Sequence, residues 1–207
     1  MIQSVKFDSS NYMDIKKIAN LVFVFTVKRL VEIAGVFICC LGILLLISLI
    51  SHSPEDPNFI FPDNTKIKNL LGFRGSYTSD LFLQSIGLIS YLIPFTLFFS
   101  GIFVFRKKSL IIMIQNTFFL ILYSLIGALF FDSFFNNSFT LFINGSGGFV
   151  GSYLNKIFLG NLIETNKNIS FYILILLIFL LFLISINFSL KKFYLFLKNI
   201  FTKKEQN

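Results

Sequence analysis

Four apolar segments, each long enough to cross a lipid bilayer as a helix, dominate this sequence. A hydrocarbon core of about 30 Å is crossed by a helix of about 20 residues. Only structures that pair their own backbone groups are stable in lipid, and helices do so within one segment. The chain is therefore predicted to be an all-α integral membrane protein with four transmembrane helices, at about residues 30–50, 81–105, 110–131 and 169–190.

The composition supports a membrane protein over a soluble one. Hydrophobic residues make up 55% of the chain and charged residues only 14%, and the mean hydropathy is +0.79. Soluble domains are about 45–50% apolar. Polar residues inside a span cost insertion energy unless they face protein or lie near an end. We expect such positions for the polar side chains of the second and third spans, which are Gln84, Gln115 and Asn116.

The positions of the basic residues predict the orientation, because Lys and Arg beside a span favour the cytoplasmic side. Thirteen of the 18 basic residues lie before span one, between spans two and three, or after span four. Both termini are therefore predicted to be cytoplasmic. Residues 1–27 are predicted to form a cytoplasmic N-terminal segment and not a signal peptide, because residues 1–20 are too polar and the apolar residues 21–27 are followed by Lys28 and Arg29 instead of a small-residue cleavage site. Residues 28–190 form the membrane domain, and residues 191–207 form a basic cytoplasmic tail or the start of a linker.

The two loops predicted to lie outside are long enough to have structure. In the first, Pro54, Pro57 and Pro62 disfavour a helix and favour an extended, rigid cap. The second has apolar residues at helical spacing, which predicts an amphipathic helix on the membrane surface. They are Val150, Tyr153, Leu154, Ile157 and Phe158. The pair Gly147 and Gly151 either permits close approach of another helix or starts this helix after a flexible turn.

No catalytic, cofactor or metal site is predicted from the residues. The segment GSGGFVG lacks the spacing of a phosphate-binding loop. Cys39 and Cys40 are expected to fill space in span one. His52, near two acids, fits turn capping better than a metal or proton-relay role, and Glu32 is expected to pair with Lys28 or Arg29.

Two functions from other classes are considered beside an anchoring and interaction module: a small transporter or channel subunit, and a membrane-bound enzyme. A transporter would show acids in mid-span or broken helices along a path. Pro94 is the only predicted break in a span. The residues therefore favour an interaction module.

The order of several short motifs resembles the N-terminal four-span membrane domain of the FtsK/SpoIIIE family of bacterial DNA translocases. After span one, the sequence has a Ser/Tyr-x-x-Asp-Pro-like segment, and a glycine-containing pattern then leads into span two. A glycine-led helix precedes span four. The matching residues are Ser51, Pro54, Asp56, Pro57, Asn69, Leu70, Gly72, Gly75, Asp80, Gly87, Pro94, Gly147, Gly148, Gly151 and Leu154.

The resemblance implies a septum-associated anchor in the inner membrane for a hexameric motor that pumps DNA during cell division and chromosome segregation. It implies lipid, division-septum proteins and other copies of the chain as partners. DNA would be engaged only through a motor domain that this sequence does not contain. The residues themselves predict that Gly72 and Gly75 permit tight turns, and that Ser79 or Asp80 caps the start of span two.

Overall fold

A computed structural model describes residues 9–57, 66–135 and 144–189, and those residues form helices and turns without any strand. The helices are α1 (Ser9–Ile50), α2 (Gly72–Ile86), α3 (Ile93–Lys107), α4 (Ile111–Phe135), α5 (Gly148–Leu154), α6 (Gly160–Thr165) and α7 (Lys167–Ser185). A 3₁₀ segment, Gly87–Leu92, joins α2 to α3, and a kinked π-helical segment, Asn155–Leu159, joins α5 to α6.

Within the described residues, four helical stretches are long and apolar enough to cross a membrane, in agreement with the predicted count. They are Ile15–Ile50, Gly72–Lys107, Ile111–Phe135 and Lys167–Ser185. The first two begin well before the apolar segments read from the sequence. A helix continues past the hydrocarbon boundary wherever its backbone stays paired, and α1, with 42 residues, is about 63 Å long. Hydropathy marks the lipid-facing part of such a helix and not its ends.

Successive spans run in opposite directions. At one end, Lys108, just after α3, contacts Glu32 of α1, and Asn187, just after α7, bonds to Asn116 of α4. We call this the base end. At the other end, which we call the loop end, α1 finishes, α2 begins, and α5 and α6 lie. The largest contacts pair α1 with α3 and α4 with α7.

The backbones of α1 and α3 are in direct contact at Gly35 and Gly101. A Cβ atom at Gly35 would lie 2.7 Å from the Phe105 nitrogen, and one at Gly101 would lie 2.6 Å from the Gly35 oxygen. Cys39 sits between these glycines, and its Sγ contacts the Phe98 carbonyl oxygen at 3.3 Å. Small residues at helix interfaces permit such packing in membranes. Cys39 thus fills space as predicted, while Cys40 is exposed.

The break in the second span lies at Gly87–Leu92 and not at Pro94, so the predicted position is wrong. Gly87 has φ 69°, a left-handed conformation that favours glycine. Pro94 occupies the first turn of α3. A proline is tolerated there because its missing N–H would have no partner within the helix.

A chain of three buried hydroxyl groups connects α3, α4 and α7. Ser185 donates to the Phe182 carbonyl oxygen at 2.8 Å. Thr96 Oγ1 lies 3.0 Å from both Ser185 Oγ and the Tyr123 hydroxyl. Since the Ser185 proton is already used, Thr96 donates to Ser185, and Tyr123 donates to Thr96. These hydrogen bonds pair all three buried hydroxyl groups, and a hydroxyl group that is buried without a partner is costly.

Candidate functional site: two polar clusters at the loop end

The first cluster joins the end of α1 to the start of α2 through the carboxylate of Asp56. Its Oδ1 accepts the backbone N–H of Lys68 and its Oδ2 that of Asn69, both at 2.8 Å. Asp56 is only 4% exposed. A buried carboxylate that accepts two amides holds both of them in place. Asp56 therefore fixes where the chain returns towards the membrane.

Asn69 continues this cluster with both ends of its side-chain amide. Its Nδ2 donates to the Ser48 carbonyl oxygen at 2.9 Å, and its Oδ1 accepts the N–H of Leu71 at 3.0 Å. A Cβ at Gly75 would overlap Asn69 Oδ1 and lie 2.6 Å from Leu71 Cβ. Gly75 is thus required for space. Ser48 Oγ donates to the Gly75 carbonyl oxygen at 2.6 Å, which binds α1 to α2 directly.

The remaining motif residues of the first loop have different roles. Gly72 has φ 65° and open space around it, so its backbone conformation alone favours glycine. The Pro57 carbonyl oxygen accepts a hydrogen bond from Ser76 at 2.8 Å, whereas Pro54 is exposed. Leu70 is 77% exposed, and no described contact of its side chain explains an apolar residue there.

The prediction that Ser79 or Asp80 caps the second span is wrong. Helix α2 begins at Gly72 and has no side-chain cap, so Asp80 is its ninth residue. Asp80 is 5% exposed, and Gln84 reaches its Oδ1 at 3.5 Å. The sequence suggested a cap because polarity falls after Asp80. The polar residues before it are instead the first turns of the helix, packed against the cluster.

His52 joins the same cluster through Ser79, 3.1 Å from its Nδ1 atom. Ser79 Oγ donates to the Ser76 carbonyl oxygen, so the Nδ1–H of His52 is the donor in this contact. Burial lowers the pKa of His52, while the charges of Asp80 and Asp56 act in the opposite direction. The contact connects the segment after α1 to α2, which turn capping did not predict.

The second cluster fills the break in the second span. The Ser146 carbonyl oxygen accepts the N–H of Leu88 at 2.9 Å, an amide that the break removes from the regular helix. A Cβ at Gly87 would overlap that oxygen and lie 2.6 Å from the Ser146 carbonyl carbon. Gly148 has φ 63°, and a Cβ there would lie 2.7 Å from the Gly87 nitrogen. The loop 144–148 thus inserts beside the break.

The glycine pair Gly147 and Gly151 lies directly against α4. A Cβ at Gly147 would lie 2.6 Å from Asp132 Cβ, and one at Gly151 would lie 2.9 Å from the Ala128 carbonyl carbon. Of the two roles left open by the sequence, close helix approach is therefore the one observed. The turn before α5 depends instead on the positive φ of Gly145 and Gly148.

Asp132, which the sequence analysis did not single out, is the acid of the second cluster. It is 5% exposed, and its two oxygens accept hydrogen bonds from Ser152 Oγ and Asn155 Nδ2, both at 2.8 Å. These bonds connect the end of α4 to α5 and to the segment after it. An acid directly after an apolar run was the available signal, because a carboxylate there needs partners on a neighbouring element.

The amphipathic stripe of the second loop is interrupted. Ile157 has ψ 179°, which ends regular helix between α5 and α6. Val150 and Leu154 are partly buried, while Tyr153 and Ile157 are exposed. The expected single helix with one buried face is therefore wrong in shape, and the side chain of Phe158 lies outside the described residues. The location of this segment on the membrane surface stays a prediction.

The hydrogen bonds of the two clusters connect neighbouring elements of the fold. No group of three His, Cys, Asp or Glu residues that could hold a metal ion occurs within residues 9–57, 66–135 and 144–189. At the base end, Glu32 pairs with Arg29 at 2.6 Å as predicted, and also with Lys108 at 2.6 Å, which was missed. Lys108 lies directly after α3, on a different element from Glu32, so the spacing of residues along α1 could not predict this second ion pair.

Comparison with known proteins gives one family and several relatives. The family described as "4TM region of DNA translocase FtsK/SpoIIIE" matches residues 27–198. A protein named DNA translocase FtsK from Rickettsia prowazekii (strain Madrid E) is 33% identical over 70 residues, which are 34% of this chain and 9% of that protein. Another of that name from Azospirillum brasilense is 35% identical over 71 residues, 33% of this chain and 11% of that protein.

The matched region spans about a tenth of the length of these relatives. No solved structure matches the chain.

Proposed function

Because this chain belongs to the family of the four-transmembrane region of FtsK/SpoIIIE DNA translocases, we propose that it anchors such a translocase at the division septum and brings copies of it together. The chain is an FtsK-like translocase membrane domain in a multi-pass inner-membrane protein. The proposed roles of this membrane domain are targeting and assembly. Pumping of DNA belongs to the motor that the resemblance implies.

The observation that carries the proposal is where the family-motif residues lie. Most of them lie in the two loop-end clusters and support the backbone there, whereas others, such as Pro94, lie elsewhere. Asp56 and Asn69 position the entry into α2, and Gly87 and Gly148 hold the second loop against the first. A module that must present its loops to a partner in one fixed arrangement needs this kind of support.

The exposure of α7 supports assembly of several copies. Ser185 is the only buried residue of this helix, although its side chains are mostly large and apolar. In a bilayer, such a face contacts either lipid or another apolar helix. A ring of copies, six by the family resemblance, would cover part of it. The proposal assigns this face to neighbouring copies.

The broken second span is the one observation that favours a transporter or channel subunit. In known transporters of that kind, unpaired backbone groups at such breaks bind the substrate. Here the Leu88 N–H is already bonded to Ser146, and Gly148 occupies the space beside Gly87. The break is thus filled by the protein's own loop, and the anchor remains the better-supported function.

Septal targeting is tested by fusing the chain to a fluorescent reporter and imaging dividing cells. We expect fluorescence to concentrate at midcell, several-fold above the lateral membrane. The control is the same fusion with Asp56→Ala, which disturbs the first cluster and should reduce midcell enrichment at equal expression. Fluorescence spread evenly through division in both cases would contradict the targeting function.

The proposed orientation, with both termini and the Arg106–Lys108 turn in the cytoplasm, rests on the basic residues that flank the spans. Single cysteines at Lys66 and Asn166, introduced after Cys39 and Cys40 are replaced by serine, are expected to react with a membrane-impermeant thiol reagent in spheroplasts. A cysteine at Ser109 should react only after lysis. The reverse pattern would show that the orientation is inverted.

A further inference from the structure

A groove between α1, α2 and α3 opens at the side of the molecule near the loop end. Its volume is about 490 Å³, and apolar side chains from the three helices form most of its wall. They include Leu41, Leu44 and Leu45 of α1, Phe82 of α2 and Leu97 of α3. Leu41 and Leu44 are 42% and 46% exposed, so the groove is open to the surroundings of the helix bundle along α1.

The polar side chains of the groove are satisfied within the protein, with one exception. Ser48 Oγ donates to the Gly75 carbonyl oxygen at 2.6 Å, and Thr78 Oγ1 donates to the Arg74 carbonyl oxygen at 2.6 Å. The guanidinium of Arg74 has neither an ion pair nor a hydrogen bond to any part of the chain that the structure describes. An exposed cation therefore stands at the loop end of an apolar groove.

We propose that this groove binds one phospholipid, with an acyl chain along α1 and the phosphate on Arg74. The groove lies on a stretch of α1 that is apolar enough for the membrane interior, so lipid is the solvent that meets it. Arg74 lies in the first turn of α2, at the loop end of the second span and next to polar residues, and we assign this end to the headgroup. A guanidinium binds phosphate oxygens in a two-pronged geometry. The proposal is independent of the septal function.

Charge complementarity favours a phospholipid over a second copy of the chain as the occupant of this groove. A transmembrane helix of a second copy would place a mostly apolar face in the groove, and α7, whose side chains are largely exposed, has no acidic residue that could pair with Arg74. An acyl chain with a phosphate at its end satisfies both parts of the site. An anionic phospholipid such as phosphatidylglycerol carries a net negative charge, which Arg74 attracts. It should therefore bind better than zwitterionic phosphatidylcholine.

The absence of tryptophan from this chain allows a direct test. The full chain is reconstituted with either Phe82→Trp, a reporter inside the groove, or Leu81→Trp, a matched control. Leu81 is the preceding residue of α2, at nearly the same depth, but it is 54% exposed and does not line the groove. Brominated phosphatidylglycerol, which quenches nearby indole rings, is added as a minor component of phosphatidylcholine vesicles.

We expect quenching at Phe82→Trp to exceed that at Leu81→Trp, as for an affinity about fivefold above bulk mixing. Arg74→Gln should remove the excess, and Arg74→Lys should keep part of it. The thermal unfolding midpoint should not change in either variant, because the guanidinium makes no contact with the described fold. Brominated phosphatidylcholine at the same fraction should show no such excess.

Three results would overturn the proposal. Equal quenching of the two reporters would mean that lipid mixes in the groove as it does elsewhere. An excess that survives Arg74→Gln would mean that no headgroup contact is involved. Weaker quenching at Phe82→Trp than at Leu81→Trp would mean that a second copy or another helix fills the groove.

Discussion

Gly87→Ala is expected to destabilise the protein by about 3 kcal/mol, the largest effect of any single methyl group considered for this fold. The added Cβ meets the Ser146 carbonyl group, whose carbon would lie 2.6 Å away, and backbone cannot rotate aside as a side chain does. Alanine also disfavours the φ of 69° at this position. Relief of the overlap would require loop 144–148 to leave the break, which would leave the Leu88 N–H without its acceptor.

Gly72→Ala is the matched control, because Gly72 has a similar φ of 65° but nothing within 4 Å of the added Cβ. It should cost about 1 kcal/mol, the conformational part alone. Thermal unfolding in detergent, followed by the fraction of monodisperse protein after heating, compares the two variants. If both variants lose the same stability, the contact between Gly87 and Ser146 does not hold the second loop in place.

Asp56→Ala is expected to cost about 3 kcal/mol, because it leaves two backbone amides without their acceptor. The Asn69 amide is buried and would have no replacement, whereas water can reach the Lys68 amide more easily. The variant should therefore loosen the entry into α2 more than the helices themselves. Asp56→Asn keeps one acceptor oxygen and should recover roughly half of the loss.

Glu55 provides a control one residue away. It forms an ion pair with Lys68 on the surface, and an exposed pair of this kind is screened by water and salt. Glu55→Ala should therefore leave stability nearly unchanged. Hydrogen exchange of the amides at Lys68 and Asn69 reports the difference: exchange should accelerate strongly in Asp56→Ala and hardly in Glu55→Ala. Similar exchange in the two variants would mean that the Asp56 carboxylate does not protect these amides.

The number of spans was predictable because a bilayer demands a minimum apolar length, which the sequence displays directly. The expectation that Gln84, Gln115 and Asn116 face protein or lie near the end of a span has the same basis, because a polar side chain in lipid is costly. Gln115 is exposed in the second turn of α4. Gln84 indeed contacts Asn144, and Asn116 accepts a hydrogen bond from Asn187. These properties depend on the chain and its solvent alone.

The roles of the motif residues were not predictable in the same way, because they depend on which elements meet. Gly75 and Gly72 look alike in sequence, yet one is needed for space beside Asn69 and the other for its backbone angle. Asp80 follows the last polar residues before an apolar run, as a helix cap does, but α2 had already begun at Gly72. Gly35 and Gly101 are far apart in the chain, and only the packing of α1 on α3 shows why both are small.

The length of α1 has a mechanical consequence. Every side chain from Ile15 to Leu30 is exposed, and Val31 is the first buried one. No glycine or proline interrupts the helix before Gly35. The exposed half is thus one arm of a single long helix, and the other arm carries Ser48 of the first cluster. The glycines further along α1, Gly35 and Gly42, are both packed against α3 and are not free to bend, so we expect a tilt or rotation of the exposed half to be transmitted along α1 to the loop end.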